Sequence, residues 1–156
     1  SGLVLDMVKR TLERYHFPAS RFVIEITETD VVHEAQIDEI QMLRNLGIEV
    51  AIDDYGAGYS TVSHLKRLPA TQIKLDKSLI AQVLADDKDK LIIASSIRLA
   101  HEMGMKVVAE GAEIEAQCEF LHNVGCDMVQ GFILGKPMPI TEFQSSLARA
   151  RRCAAA

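Results

Sequence analysis

Five times along this chain a short run rich in β-branched residues gives way to a segment with helical periodicity. The runs are RFVIEIT (21–27), IEVAIDD (48–54), TQIKLD (71–76), MKVVAE (105–110) and DMVQGFI (127–133), each read as a strand. Between them, HEAQIDEIQMLRNLG (33–47) sets Ile37, Ile40, Leu43 and Leu46 near one helical face. STVSHLKRL (60–68), KDKLIIASSIRLAHEMG (88–104), IEAQCEFLHNVG (114–125) and TEFQSSLARAR (141–151) read as further helices. LVLDMVKRTLERYHF (3–17) is one more, feeding the first strand through Pro18. Gly47, Gly104 and Gly125 each stand just past a helical run, where a left-handed helix end belongs. Antiparallel strands can be joined by a two-residue turn, whereas strands separated by helices are joined by crossovers and lie parallel. The pattern therefore predicts an α/β fold with about five parallel strands. No linker, low-complexity run or second domain interrupts it.

Bulk composition removes several function classes. The 156 residues are 48% hydrophobic, enough for one cored domain, and the formal net charge is −5. A net acidic surface attracts neither polymeric nucleic acid nor an anionic membrane, so a small anionic ligand would need a local positive group. No apolar run approaches the roughly 20 residues of a spanning helix, and the amino terminus has no charged-then-apolar leader, so the expected location is cytoplasmic. Cys118, Cys126 and Cys153 are an odd number without CxxC spacing, and His16, His33, His64, His101 and His122 form no HExxH. Reduced, mostly buried thiols are expected, with neither a disulfide framework nor a helical zinc pair.

The charged residues fall in a pattern of their own. Glu25, Asp53, Lys74, Asp76, Glu110 and Gln130 lie at or near the carboxyl ends of five different strands. In parallel α/β architectures that rim is where ligands bind. Side chains alternate along a strand, so Glu25 and Thr27 share one face and Lys74 and Asp76 share one face, with Ile73 and Leu75 on the other. A barrel interior fits, its polar residues inward and its apolar ones toward the helices. Taken singly, each residue has a plain explanation: a solvated lysine, an Asp-initiated turn at Asp53–Asp54, a strand terminus at Glu110, helix-start carboxylates at Glu28 and Glu113. Their coincidence on one rim is what points to a site.

Adjacent carboxylates about 4 Å apart repel by about 4 kcal/mol even at an effective dielectric of 20, so Asp53 and Asp54 require a cation. Lys74 alone cannot balance Glu25, Asp53, Asp54, Asp76 and Glu110. Oxygen ligands without His or Cys suit hard ions such as Mg²⁺, Mn²⁺ or Ca²⁺. A neighbouring aspartate pair offers one bridging and one terminal ligand, as a two-metal site acting on a phosphodiester needs. Gly56 and Gly58 let the next loop bend close, and a lysine can hold or deprotonate the attacking water.

These residues also match a known pattern. Glu25, Thr27 and Glu28 in EIT-E, DDYGAGYS (53–60), IKLDKS (73–78), VVAEGAE (107–113) and CDMVQGFILGKPMP (126–139) resemble, in order and spacing, the later motifs of the EAL domain family of cyclic di-GMP phosphodiesterases. The resemblance covers nearly the whole chain. It implies a TIM-barrel-like fold and hydrolysis of cyclic di-GMP to linear pGpG with two Mg²⁺ or Mn²⁺ ions. By the same resemblance, Glu25 and Asp53 ligate one metal, Asp53 bridges to a second, and Asp54 and Glu110 hold that second ion. Lys74 orients the nucleophilic water with Asp76 beside it, Glu28 anchors the loop after Asp54 next to Thr27, and Glu113 and Gln130 support the ligand pocket. Tyr55 and Ala112 stand where Phe and Val are more usual.

Nothing here matches the family's name-giving Glu-Ala-Leu strand with its arginine, nor the next strand with its metal-binding asparagine. A full (β/α)₈ barrel takes about 250 residues. Residues 1–156 are therefore expected to be a single partial EAL-type domain, the carboxyl-terminal two-thirds of a barrel. Open sheet edges tend to pair with another chain, so a homodimer or swapped oligomer is expected, with a sensor or cyclase domain upstream in a parent protein. Two readings of function follow: a phosphodiesterase, or a catalytically silent cyclic di-GMP-binding or regulatory module. A flavodoxin-like receiver would also place an acidic pair and a lysine around Mg²⁺, but its lysine belongs on the last strand rather than the middle one.

Overall fold

The structure is a computed structural model that describes residues 2–27, 34–57 and 65–154, the stretch 148–154 by its backbone alone. Five strands form one sheet: β1 Val23–Thr27, β2 Glu49–Tyr55, β3 Gln72–Leu75, β4 Lys106–Glu110 and β5 Met128–Gln130. Every pairing is parallel and the spatial order is the chain order. The helices are α1 Leu3–Arg14, α2 Glu34–Asn45, α3 Lys77–Gln82, α4 Asp87–Glu102, α5 Glu115–Asn123 and α6 Ile140–Ala154, with a 3₁₀ turn at Ala19–Arg21. Sequential parallel strands with helices between them make this a TIM-barrel-like α/β fold. The helix read at 60–68 falls mostly outside the described residues.

The sheet has one face for packing and one for chemistry. Ile73 and Leu75 of β3 are fully buried, and they share a core with Val50 and Ile52 of β2, Val107 and Ala109 of β4, Ile80 of α3, and Ile93, Ile97 and Ala100 of α4. Each fully buried Ile, Leu or Val contributes about 1.5–3 kcal/mol of transfer free energy, which fixes this face against the helices. A second cluster of Leu5, Val8, Leu43 and Ile48 seats α1 on α2 beside the first strands. The residues alternating with the core set, among them Glu25, Asp53, Lys74 and Glu110, project to the other face.

Helix ends follow local chemistry. The Asp76 side chain accepts from the backbone N–H of Ser78 at 2.9 Å and starts α3, and Asp86 does the same for α4 through Lys88 N–H at 2.9 Å. Such caps are each worth about 1 kcal/mol. Gly47, Gly104 and Gly125 have φ of 86°, 75° and 83°, the left-handed helix ends expected of them. Among the described residues no helix is long and apolar enough to cross a membrane.

Two elements differ from the sequence reading. Helix α3 begins directly after β3, where the sequence shows no strong periodicity, because Asp76 caps it. Strand β5 stops at Gln130 rather than continuing to Ile133, because the chain turns into the neighbouring loop: Ala112 N–H donates to the Gln130 carbonyl and Ile133 N–H to the Ala112 carbonyl, both at 3.2 Å. Cys118 and Cys126 are free but only partly buried, Cys126 lying 3.2 Å from the Met128 carbonyl.

Candidate functional site

In a regular strand Asp53 and Asp54 would point to opposite faces. They do not, because β2 carries one extra residue there. Ile52 pairs with Ile73 and Tyr55 pairs with Leu75, so two aspartates on β2 stand against the single residue Lys74 on β3. That is a β-bulge, a device found beside active sites. Asp54 absorbs the irregularity with φ of 54°, a left-handed conformation that Asp tolerates better than most residues. Oxygens of Asp53, Asp54 and Glu110 consequently come within 4.8 Å of one another.

Lys74 sits at the middle of this group with its residue only 7% exposed. Its ammonium lies 2.9 Å from Glu25 Oε1, 2.8 Å from Asp53 Oδ1 and 2.8 Å from Glu110 Oε1. The three carboxylates come from β1, β2 and β4, so one side chain on β3 ties four of the five strands at their carboxyl ends. Burial pulls the Lys74 pKa down, but close contact with the Asp53, Glu110 and Glu25 carboxylates outweighs it and holds the group well above the ordinary lysine value. Lys74 in this arrangement is an ammonium at neutral pH. It can hold a water or an anionic oxygen; the sequence-level alternative, deprotonating the water, does not suit it.

The charge does not balance. Glu25, Asp53, Asp54 and Glu110 against one ammonium leave a formal excess of three negative charges. Asp53 Oδ1 is buried and accepts no well-directed hydrogen bond despite its short approach to Lys74. A buried carboxylate oxygen without a directed donor, next to two more carboxylates, is what a hard divalent cation satisfies. The donor set is all oxygen, as Mg²⁺, Mn²⁺ or Ca²⁺ prefer.

The remaining sequence candidates divide. Thr27 pairs with Asp53 in the β1–β2 register and Gln130 pairs with Glu110 in the β4–β5 register, which puts both on the rim. Glu113 and Gln130 line a cavity of about 960 Å³ shared with Glu110, Lys77 and Phe132. Asp76 departs from expectation: β3 ends at Leu75, and the Asp76 carboxylate turns to Ser78, accepting from its N–H at 2.9 Å and from its hydroxyl. The Ser78 hydroxyl lowers the Asp76 pKa, with burial opposing it. Its partner is helix α3, not the Lys74 ammonium. Glu28 and Gly58 lie outside the described residues.

Two features escaped the sequence reading. Gly131 packs so closely on the loop after β4 that a Cβ there would overlap the backbone of Ala112. Gln117, 6% exposed, hydrogen-bonds the same loop. A Gln three residues past a helix start is a recognised capping position, and that spacing was the available signal.

Comparison with known proteins agrees with this geometry. The EAL domain model matches residues 2–137, and the chain belongs to the EAL domain family. A relative in Pseudomonas aeruginosa, the bifunctional diguanylate cyclase/cyclic di-GMP phosphodiesterase MucR, is 39% identical over 150 residues, covering 95% of this chain and 22% of MucR. The solved MucR phosphodiesterase in complex with c-di-GMP superposes with a TM-score of 0.83 at 39% identity, over 92% of this chain and 58% of that one. A manganese/cy-diGMP complex of BlrP1 from Klebsiella pneumoniae gives 0.77 at 32% identity, over 83% of this chain and 33% of that one. The chain thus spans only part of each of these relatives.

Proposed function

We propose that residues 1–156 are a partial EAL-type domain whose rim takes part in metal-dependent hydrolysis of cyclic di-GMP to linear pGpG. The observation that carries this reading is the bulge that brings Asp53 and Asp54 to the same side as Glu110, around a single lysine that cannot balance their negative charge. Glu25, Asp53, Asp54 and Glu110 are the residues that would hold two Mg²⁺ or Mn²⁺ ions. Bound there, the ions supply an activated water and neutralise the phosphodiester. The names of the MucR and BlrP1 complexes support the choice of cyclic dinucleotide and of manganese.

This chain's own residues then have distinct work. Asp53, whose Oδ1 is buried beside Lys74, would hold the cations together with Asp54 from β2 and Glu110 from β4. Lys74 donates protons of its ammonium toward the attacking water and the phosphoryl oxygen, which needs it protonated, as its surroundings keep it. Asp76 acts through α3, whose start it holds directly after β3. Thr27 stands beside Asp53 in the sheet, Glu28 keeps the role that the family resemblance implies for it, anchoring the loop after Asp54, and Glu113 and Gln130 wall the cavity next to Glu110. In the net reaction water adds across one P–O ester bond of the ring, leaving one phosphate monoester and one free hydroxyl.

A second reading, binding of cyclic di-GMP without turnover, has one observation in its favour. Three carboxylate oxygens already lie within 2.8–2.9 Å of the Lys74 ammonium, so a water has to compete with them for its protons. Incubation of the chain with cyclic di-GMP and Mn²⁺, following both binding and the linear dinucleotide, separates the two. Product that depends on Mn²⁺ supports hydrolysis, binding without product supports the second reading, and neither would contradict both.

A further inference from the structure

Gln117 lies in the first turn of α5, on a helix whose neighbouring residues Glu115 and Ala116 are exposed, yet it is buried. Both ends of its amide are engaged. Oε1 accepts from the backbone N–H of Glu113 at 2.8 Å and of Ile114 at 3.2 Å, while Nε2 donates to the Ile80 carbonyl at 3.0 Å. Those partners belong to two different segments. Glu113 and Ile114 end the loop that leaves Glu110, and Ile80 lies in α3, the helix that follows Lys74 and Asp76.

The two segments matter because the strands they leave end in the Lys74–Glu110 pair, 2.8 Å apart. Contact between the exits is already close: a Cβ at Gly111 would come within 2.5 Å of Lys77 Cβ. Packing presses the segments together, and the Gln117 amide sets their relative position through directed bonds. A buried amide with both ends used is costly to disturb, since an apolar replacement leaves the Glu113 and Ile114 N–H groups without this acceptor. Groups that orient ligand-bearing segments from behind typically change metal affinity by about 10–100-fold when removed.

We infer that Gln117 is a positioning residue for the acidic site: it clamps the loop after Glu110 to helix α3 and so sets the spacing of Glu110 from Lys74 and Asp53 at which a divalent cation is held. This rests on the reading of the cluster as a cation site.

The test is calorimetric titration of Mn²⁺ into the chain and its variants, at a temperature where circular dichroism shows each to be folded, with metal-free melting temperatures measured alongside. Gln117→Met removes all three bonds, and Gln117→Glu keeps both acceptor bonds but loses the donor to Ile80. Ile97→Val, in the core of α4 and remote from the rim, controls for stability loss alone. The expected result is Mn²⁺ affinity about tenfold weaker in Gln117→Met and severalfold weaker in Gln117→Glu, despite its added negative charge, with Ile97→Val lowering only the melting temperature. Unchanged Mn²⁺ affinity in the Gln117 variants would overturn the inference while leaving the cation site standing. If Gln117→Met does not fold, Gln117→Glu decides alone by the same criterion. Absence of Mn²⁺ binding by the unsubstituted chain would overturn the cation site itself, and this inference with it.

Discussion

Lys74 reaches Glu110 at 2.8 Å although the residue opposite it in the sheet is Val108. The contact is diagonal, two residues toward the carboxyl end of β4, whereas Asp53, 2.8 Å away on the other side, stands against Lys74 across the β2 bulge. The ammonium therefore leans over the strand ends and gathers carboxylates that the sheet alone would leave apart.

Lys74→Met should accordingly destabilise the metal-free chain by roughly 3 kcal/mol, the lower end for a broken buried ion pair because Glu25 is half exposed. Mn²⁺ should restore much of that loss by giving the same oxygens another cation. Urea unfolding with and without Mn²⁺ checks this; equal losses in both conditions would show that the carboxylates do not share a cation.

The bulge separates backbone demand from ligand demand at Asp54. Asn accepts the left-handed conformation at φ of 54°, so Asp54→Asn should change stability by less than about 0.5 kcal/mol while weakening Mn²⁺ binding. A β-branched residue pays for that conformation, so Asp54→Val should cost about 1–3 kcal/mol. Chemical denaturation of the two variants reads the difference directly.

At Gly131 the obstacle is backbone. Gly131→Ala drives a methyl group into Ala112, and since backbone cannot rotate away the cost should reach about 3 kcal/mol, the top of the usual range for overpacking. The loop carrying Ala112 and Glu113 should shift with it, seen as lost amide protection at Ala112 in hydrogen exchange.

The far end of the sheet carries a pH-dependent contact. Asp127 Oδ2 accepts from Val107 N–H at 2.8 Å and lies 2.8 Å from His101 Nε2. Burial opposes the shift, but the hydrogen bonds from His101 and Val107 lower the Asp127 pKa below the usual carboxylate value. The folded state therefore binds this proton less tightly than the unfolded state. The stabilising contribution is complete above the ordinary carboxylate pKa of about 4 and disappears as pH falls through the lowered folded value. The stability advantage of the unsubstituted chain over Asp127→Ala should be constant from about pH 5 to 6 and shrink below about pH 4, measured by urea unfolding at each pH.

Strands were legible because each is a branched run bounded by helix stops, and β1 through β4 begin and end within two residues of the sequence reading. The convergence of Glu25, Asp53, Lys74 and Glu110 was legible for the same reason: parallel strands in chain order must bring their carboxyl ends together. What sequence could not show was how adjacent aspartates share a side, since a bulge leaves no trace in residue pattern. Asp76 was assigned to the rim by alternation with Lys74, yet helix capping by the Asp-Lys-Ser stretch ends the strand one residue earlier. Gln117 escaped notice because a polar residue in a helical run ordinarily faces water. Its burial arises from two other segments, which local pattern does not encode.

The most direct measurement is the melting temperature of the chain as Mn²⁺ is raised, compared with Asp53→Asn. A cation bound only by the folded state raises the melting temperature with concentration. The account predicts a rise for the unsubstituted chain that Asp53→Asn abolishes. Equal rises in the two proteins, or none in either, would contradict a cation site built on Asp53.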